Sequence, residues 1–224
     1  MKKINKFWSE KNTDYHKSAS AWIPRLGEKE VNRLSNNRKQ LFYNLNRINK
    51  IKKGTMIDWG CGGGINTNCF YTHFDNIIGV DVSIDSLKES SRIAETLNYK
   101  GFNERLINMD NPEKILDFNV KCDFFLATQV FMHFPNKNYA KRILNIIHNM
   151  LNDDGKGIIE TCYNHETNLT EKFLFNWNNR VSYDIQEFWY ILLDNGFKPL
   201  SVWIEPNERH AYYMFEKKEN KNEI

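Results

Sequence analysis

The amino-acid sequence predicts an α/β sandwich, in which a seven-stranded, mostly parallel sheet has helices on both faces. The main observation is that short apolar runs alternate along the chain with segments whose apolar residues recur at helical spacing. Strands that alternate with helices form right-handed crossovers, and these produce a parallel sheet covered on both faces. The second observation is that no helix separates the last two apolar runs, which predicts an antiparallel hairpin at the end of the chain.

The individual elements follow from the same pattern. Apolar runs predict seven strands, at residues 55–59, 77–82, 105–108, 122–128, 157–162, 199–205 and 212–217. Helical spacing predicts the three longest helices, at residues 28–49, 137–151 and 184–195. The first helix is expected to bury Leu41, Leu45 and Ile48, and Gly196 is expected to end the third. Ser83 is the expected N-cap of the helix after the second strand.

Composition limits the classes of function. The 224 residues are 41% apolar and 26% charged, as in one globular domain, and the formal net charge of +3 gives no strong case for a nucleic-acid or membrane binder. The sequence has neither an apolar run of the roughly 18–20 residues that span a membrane nor the apolar stretch of a signal peptide, so we expect a cytoplasmic protein. Four cysteines without metal-ligand spacing predict reduced thiols and no metal site.

The pattern also divides the chain into segments. Residues 1–54 are expected to be an N-terminal helical cap, of which residues 1–27 are rich in aromatic side chains and either fold as a lid or pack onto the core. Residues 55–218 form the expected core, with a substrate-side insertion at residues 163–182. Residues 219–224 are expected to be a flexible tail.

One glycine-rich segment predicts a ligand loop. Residues 60–64 read Gly-Cys-Gly-Gly-Gly, directly after the first strand and before a helix. Glycines let the backbone turn sharply and approach a ligand closely, and the following helix start offers N–H donors. A dinucleotide fingerprint needs Gly or Ala where the chain has Ile65, and the Gly-Lys-Ser/Thr of a phosphate-binding loop does not follow.

Together with Asp58, the loop reads Asp-x-Gly-x-Gly-x-Gly and resembles the class I S-adenosylmethionine (SAM)-dependent methyltransferases. Asp81 ends the second strand 21 residues after Gly60, where a carboxylate accepts hydrogen bonds from ribose hydroxyls. Residues 122–134 resemble the fourth-strand block of that family, and the resemblance covers residues 55–216. It is similar to the small-molecule branch, methyltransferase types 11 and 25. The resemblance implies a Rossmann-like three-layer sandwich with a C-terminal antiparallel hairpin.

The resemblance further implies SAM as the cofactor, bound at the carboxyl ends of the first three strands. The cofactor-binding residues that it implies are Asp58, Gly60, Cys61, Gly62, Gly64, Asp81, Val82, Met109, Asp110 and Thr128. Met109 and Asp110 are expected to end the third strand beside the adenine. Within the loop, Cys61 is expected to be a small filler and not a nucleophile.

The methyl acceptor is the least defined part. Residues 127–130 lack the Asn/Asp-Pro-Pro-aromatic block of enzymes that methylate nucleobase amines, so we expect a small polar acceptor, with a sugar or phosphorylated metabolite favoured. If a hydroxyl must lose its proton, His133 is the first candidate base, followed by His165 and Tyr163. The remaining histidines of the core, His73, His148 and His210, are expected to be structural or on the surface. A tRNA nucleoside methyltransferase and a non-catalytic SAM-binding scaffold are the alternatives, and the oligomeric state stays open.

Overall fold

The computed structural model describes residues 28–163, 181–204 and 210–218. The predicted lid at residues 1–27, residues 164–180 of the insertion and the tail at residues 219–224 lie outside the described residues. The chain separates into two compact units, residues 1–115 and residues 116–224, and each unit is described by itself.

Within its described residues, the first unit contains three parallel strands and three helices. Its elements are α1 (Glu28–Asn49), β1 (Thr55–Trp59), α2 (Ile65–Phe70), β2 (Asn76–Asp81), α3 (Ile84–Thr96) and β3 (Phe102–Leu106). The strands pair in the order β3-β2-β1, and both pairs are parallel. Ser83 caps α3 as predicted, because its side-chain oxygen accepts the Ser86 N–H.

Helix α1 packs against α2 through aromatic rings, with the Phe42 and Phe70 centroids 5.1 Å apart. Leu41 and Leu45 are buried as predicted, but Ile48 is 73% exposed, so that prediction is wrong. Ile48 lies in the last turn of α1, next to the final residue of the helix.

The described part of the second unit contains five more strands, and a 3-10 helix at Pro112–Phe118 leads into it. Its elements are β4 (Cys122–Ala127), a 3-10 helix (Phe131–His133), α4 (Lys137–Met150), β5 (Leu151–Tyr163), β6 (Ser182–Tyr183), α5 (Ile185–Asp194), β7 (Phe197–Ile204) and β8 (His210–Lys217). The strands pair in the order β4-β5-β8-β7, and the short β6 also pairs with β5. Strand β8 is antiparallel to β5 and β7, so the predicted terminal hairpin is confirmed.

The core of the second unit is aromatic. Phe188 of α5 is fully buried, and its ring centroid lies 4.9 Å from that of Tyr183 and 4.7 Å from that of Tyr213. A capping box starts this helix, because the Asp184 side chain accepts backbone N–H bonds and the Glu187 side chain accepts the Asp184 N–H. At its other end Gly196 has a φ of 81°, so the predicted glycine stop is confirmed.

The predicted α/β, Rossmann-like fold class is confirmed, and among the strand boundaries the starts of β3 and β5 differ most from the prediction. Strand β3 begins at Phe102 and not at residue 105, because it has exposed positions such as Asn103 and Glu104 that interrupt the apolar pattern. Strand β5 begins at Leu151 and not at residue 157, with a register shift against β4 and Asp154 at a φ of 60°. Within the described residues, no helix has the length and apolar character needed to cross a bilayer.

Candidate active site

A tight glycine loop joins β1 to α2. Gly60, Gly62 and Gly64 have φ values of 72°, 52° and 87°, in the left-handed region that glycine adopts without steric strain. The N–H groups of Gly60 and Cys61 both donate to the Val80 carbonyl, at 2.6 and 3.1 Å. The carboxyl end of β2 therefore holds the start of the loop in place.

Two of these glycines have opposite surroundings. A Cβ added at Gly64 would lie 3.0 Å from the Cα and Oγ atoms of Ser90, so this glycine allows the loop to pack on α3. A Cβ added at Gly62 would have no described atom within 4 Å. The open space at Gly62 fits a ligand that approaches the loop backbone, which is what SAM would require of this loop.

Asp81, the last residue of β2, is bonded to the same loop. Its Oδ2 accepts the Gly62 N–H at 3.0 Å, and its Oδ1 accepts the Ser83 N–H at 2.9 Å. Burial raises the pKa of Asp81, and the hydrogen bond from the Gly62 N–H is the largest of the effects that oppose this rise. A carboxylate offers about four acceptor positions, so these two bonds leave capacity for hydroxyl donors of a ribose.

Asp58 lies beneath the loop, in the penultimate position of β1, and is fully buried. Its Oδ1 accepts a hydrogen bond from Asn66 Nδ2 at 2.7 Å, whereas its Oδ2 has no hydrogen-bond partner among the described residues. Burial raises the pKa of Asp58 to about 7, against the opposing effects of the Asn66 bond and the Arg38 charge. An unsatisfied carboxylate oxygen in a buried position fits a site that a polar ligand group completes.

Cys61 behaves as a filler of the loop, as predicted. It is 5% exposed, and burial raises the pKa of its thiol well above the usual value, so the thiolate needed for nucleophilic attack is disfavoured. All four cysteines are buried and unbridged. Among the described residues, no group of three or more His, Cys, Asp or Glu side chains could hold a metal ion.

The sequence predicts that Met109 and Asp110 end the third strand, but the structure does not place them there. Strand β3 ends at Leu106, and the chain then turns, with the Asn111 N–H donating to the Asn108 carbonyl at 3.0 Å. Met109 is buried at 6% exposure, whereas Asp110 is exposed and its N–H donates to Asn108 Oδ1 at 2.8 Å. Both residues therefore lie in the turn that follows the strand.

In the second unit, polar groups gather where β4 and β5 end. Glu160 of β5 is fully buried, its Oε2 accepts the Gln129 N–H at 3.0 Å, and its Oε1 is hydrogen-bonded to His210 Nδ1. Gln129 follows β4 and has a φ of 58°. Because β8 runs antiparallel to β5, its first residue, His210, lies opposite Cys162 near the carboxyl end of β5.

Three predicted site residues lie along the same strand ends: Thr128, which is predicted to bind the cofactor, and the candidate bases His133 and Tyr163. Thr128 follows β4 and is 8% exposed, and His133 is the last residue of the 3-10 helix after it, where its N–H donates to the Val130 carbonyl at 2.9 Å. Tyr163 is the last residue of β5 and pairs with Tyr183. His165 lies outside the described residues.

Comparisons with known proteins identify the family. A family model described as a methyltransferase domain matches residues 50–219. The chain belongs to this methyltransferase family. The match confirms the predicted SAM-dependent methyltransferase, with SAM as its cofactor. A search of curated proteins gives no significant match.

Solved structures similar to the methyltransferase share its fold at low sequence identity. An S-adenosylmethionine-dependent methyltransferase from Clostridium acetobutylicum is 13% identical, with a TM-score of 0.64 and coverage of 80% of this chain and 90% of that chain. Magnesium protoporphyrin IX methyltransferase from Synechocystis PCC 6803 with bound SAH is 15% identical, with a TM-score of 0.64 and coverage of 82% and 83%. The same enzyme with bound SAM is 13% identical, with a TM-score of 0.62 and coverage of 82% and 79%.

The sequence pattern does not indicate one pair of residues in the methyltransferase. Glu160 is not among the predicted site residues, and the structure pairs it with His210, which is predicted to be structural or on the surface. One signal was present, because Glu160 is an acidic residue inside the apolar run that predicts β5. The pairing itself joins residues 50 positions apart, and no local pattern indicates it.

Proposed function

We propose that this methyltransferase transfers the methyl group of SAM to an oxygen of a small polar acceptor, with a sugar or phosphorylated metabolite favoured. The observation that carries the proposal is the glycine loop, which is open at Gly62 and bonded to Asp81. Bound SAM supplies a methyl group on a sulfonium sulfur. An oxygen of the acceptor attacks the methyl carbon in line with the carbon–sulfur bond, and the sulfur leaves. The protein supplies orientation and exclusion of water.

In this proposal each part of the loop has a separate role. The backbone of residues 60–64 lies against the cofactor, because the Gly62 position leaves that approach open. Asp81 accepts bonds from the ribose hydroxyls through the acceptor capacity that its two backbone bonds leave. The buried Asp58 sets the position of the loop through Asn66 and offers Oδ2 to a polar group of the cofactor.

The acceptor part rests on the groups at the ends of β4 and β5. Residues 127–130 read Ala-Thr-Gln-Val, without the proline and aromatic residues that grip a nucleobase amine. The net charge of +3 lacks the basic excess that binding to an RNA backbone favours. Histidine, glutamate and tyrosine side chains at the two strand ends suit a small hydroxyl-bearing acceptor.

The experiment begins with calorimetric titration of SAM into the protein, with Asp81→Ala as the variant that should bind weakly. Release of SAH is then measured with a low-molecular-mass cell extract as the acceptor source. Portions of the extract are treated with phosphatase or with periodate, which remove phosphate groups and cleave the vicinal diols of sugars. Loss of SAH release after either treatment supports the favoured acceptor class.

The same assay separates the alternatives. SAH release that occurs only with an RNA fraction and disappears after ribonuclease treatment would replace the proposal with a tRNA methyltransferase. Tight SAM binding with no release from any fraction would replace it with a SAM-binding scaffold.

A further inference from the structure

We infer that His210 and Glu160 form the proton-transfer pair on the acceptor side, with His210 Nε2 taking the proton of the acceptor hydroxyl. The inference rests on the proposed function, because only a hydroxyl acceptor must lose a proton. Glu160 is a positioning residue in this pair, since it acts through the imidazole ring.

Glu160 is fully buried. The carboxyl group has no exposed surface and lies in a strand whose neighbouring residues, Ile159 and Thr161, are also fully buried. A carboxylate in such a place is strongly destabilising unless its oxygens are hydrogen-bonded. Two separate segments supply those bonds, the backbone of Gln129 after β4 and the ring of His210 in β8.

The hydrogen bond to Glu160 determines which ring nitrogen of His210 carries the proton. An ionised carboxylate accepts hydrogen bonds only, so the Nδ1 atom of His210 must carry the proton that it shares with Glu160. In the neutral ring the lone pair is then on Nε2, which makes Nε2 the basic atom.

The backbone beside the Glu160 carboxylate is strained. Gln129 has a φ of 58°, which non-glycine residues adopt at an energetic cost, and its N–H donates to Glu160 Oε2. That bond fixes which oxygen faces the backbone and leaves Oε1 for His210. Strained backbone that aims a donor at a buried carboxylate is typical of a site that orients a catalytic group.

The pair lies near the carboxyl ends of strands β4 and β5. Gln129 follows the carboxyl end of β4, and His210 lies opposite Cys162 near the carboxyl end of β5. Ligands of open α/β sheets bind outside the carboxyl ends of the strands. The His210 side chain is 12% exposed whereas Glu160 is closed to solvent, so the histidine is the member of the pair that a ligand can reach.

The acceptor O–H bond breaks as its proton passes to His210 Nε2, while the oxygen forms a bond to the methyl carbon and the carbon–sulfur bond breaks. The bonding electrons stay on sulfur, which gives the neutral thioether SAH. The positive charge moves from the sulfonium to the imidazolium, which then releases its proton to solvent.

The first test needs no acceptor. In ¹⁵N-histidine-labelled protein we expect NMR to show His210 as the Nδ1–H tautomer. In Glu160→Gln, the amide oxygen must accept the Gln129 N–H, so the amide NH₂ group faces Nδ1 and should shift the ring to the Nε2–H tautomer. A wild-type ring in the Nε2–H form overturns the inference.

The second test measures SAH release with the low-molecular-mass extract. His210→Asn keeps a donor toward Glu160 but lacks Nε2, and should lower release about 100-fold, with SAM affinity within twofold of wild type. Added imidazole should restore part of the rate in His210→Ala. The control is His73→Gln, which changes an exposed histidine of the first unit and should leave release unchanged.

The outcomes separate the two proposals. Full SAH release by His210→Asn overturns the role of the pair while the proposed function stands. If wild-type protein binds SAM but releases no SAH, the proposed function fails, and His210 as an acceptor base is overturned with it, whatever its tautomer.

Discussion

Replacing Asp58 by Asn should stabilise the fold at alkaline pH while it weakens binding of the cofactor. Asp58 is fully buried, and among the described residues its carboxyl group accepts one hydrogen bond, from Asn66 Nδ2. An asparagine oxygen accepts the same bond, so the substitution removes the buried charge without removing its partner. The expected gain is therefore the free energy that ionisation of Asp58 costs the folded state.

The magnitude follows from the pKa. Burial raises the pKa of Asp58 from 3.8 to about 7, and at 1.36 kcal/mol per pKa unit this rise of about 3 units corresponds to about 4 kcal/mol. Because the folded pKa is above the unfolded one, the folded state binds more protons between these values, and stability falls as the pH rises through that window. About 3 kcal/mol of the effect lies between pH 5 and pH 8.5.

The assay is urea unfolding of wild type and Asp58→Asn at both pH values. We expect the advantage of the variant to be about 3 kcal/mol larger at pH 8.5 than at pH 5, since other titrating groups cancel in this comparison. The control is Asp117→Asn, which makes the same substitution at an exposed position. A pH-independent difference for Asp58→Asn would refute the reasoning, because Asp58 would then ionise equally in both states.

The remaining predictions concern the loop, the ribose and the acceptor. Gly62→Asp should weaken SAM binding and still fold with a slightly lower unfolding midpoint, because the position has open space but a φ of 52°. Gly64→Ala should lower the unfolding midpoint further, because its φ is 87° and its Cβ would also meet Ser90; calorimetry measures the binding and urea unfolding the midpoints. Asp81→Ala should weaken SAM binding by roughly 10- to 150-fold, as expected for lost bonds to a charged group, and more than Asp81→Asn; equal, near-wild-type affinities in calorimetry would place the ribose elsewhere. The sequence predicts His133 as the base, and in that case His133→Ala lowers single-turnover methyl transfer about 100-fold and removes the limb of the pH profile that titrates as a histidine. Because His210 is inferred to take the proton, we expect His133→Ala to keep both, and loss of both would overturn the role of His210.

Much of the fold could be predicted because local pattern and tertiary burial agree. Strand β1 and helix α1 have the bounds that their apolar spacing predicts, and Ala140, Ile143 and Leu144 of α4 are all fully buried as expected. Such segments need only one periodic face against one core. The prediction failed at β3, where exposed polar residues such as Glu104 remove the apolar pattern although the strand still pairs with β2.

The candidate site also has one part that the sequence predicts and another that it does not. The glycine loop could be predicted because its positive φ angles demand a residue type that is visible in the sequence. The pair of Glu160 and His210 could not, because it depends on the antiparallel register of β5 and β8, which places Cys162 opposite His210. The left-handed conformation of Gln129 was equally invisible, since glutamine has no preference for it.

Asp58 and Glu160 are the two acidic side chains that the described residues bury completely, and they differ in how far the protein itself satisfies them. Both oxygens of Glu160 have partners, so this carboxylate is complete within the protein and its charge can act on His210. Only one oxygen of Asp58 has a partner, and burial raises its pKa to about 7. A buried polar group left incomplete lowers stability, so its retention at the base of the glycine loop is best explained by a ligand group that completes it.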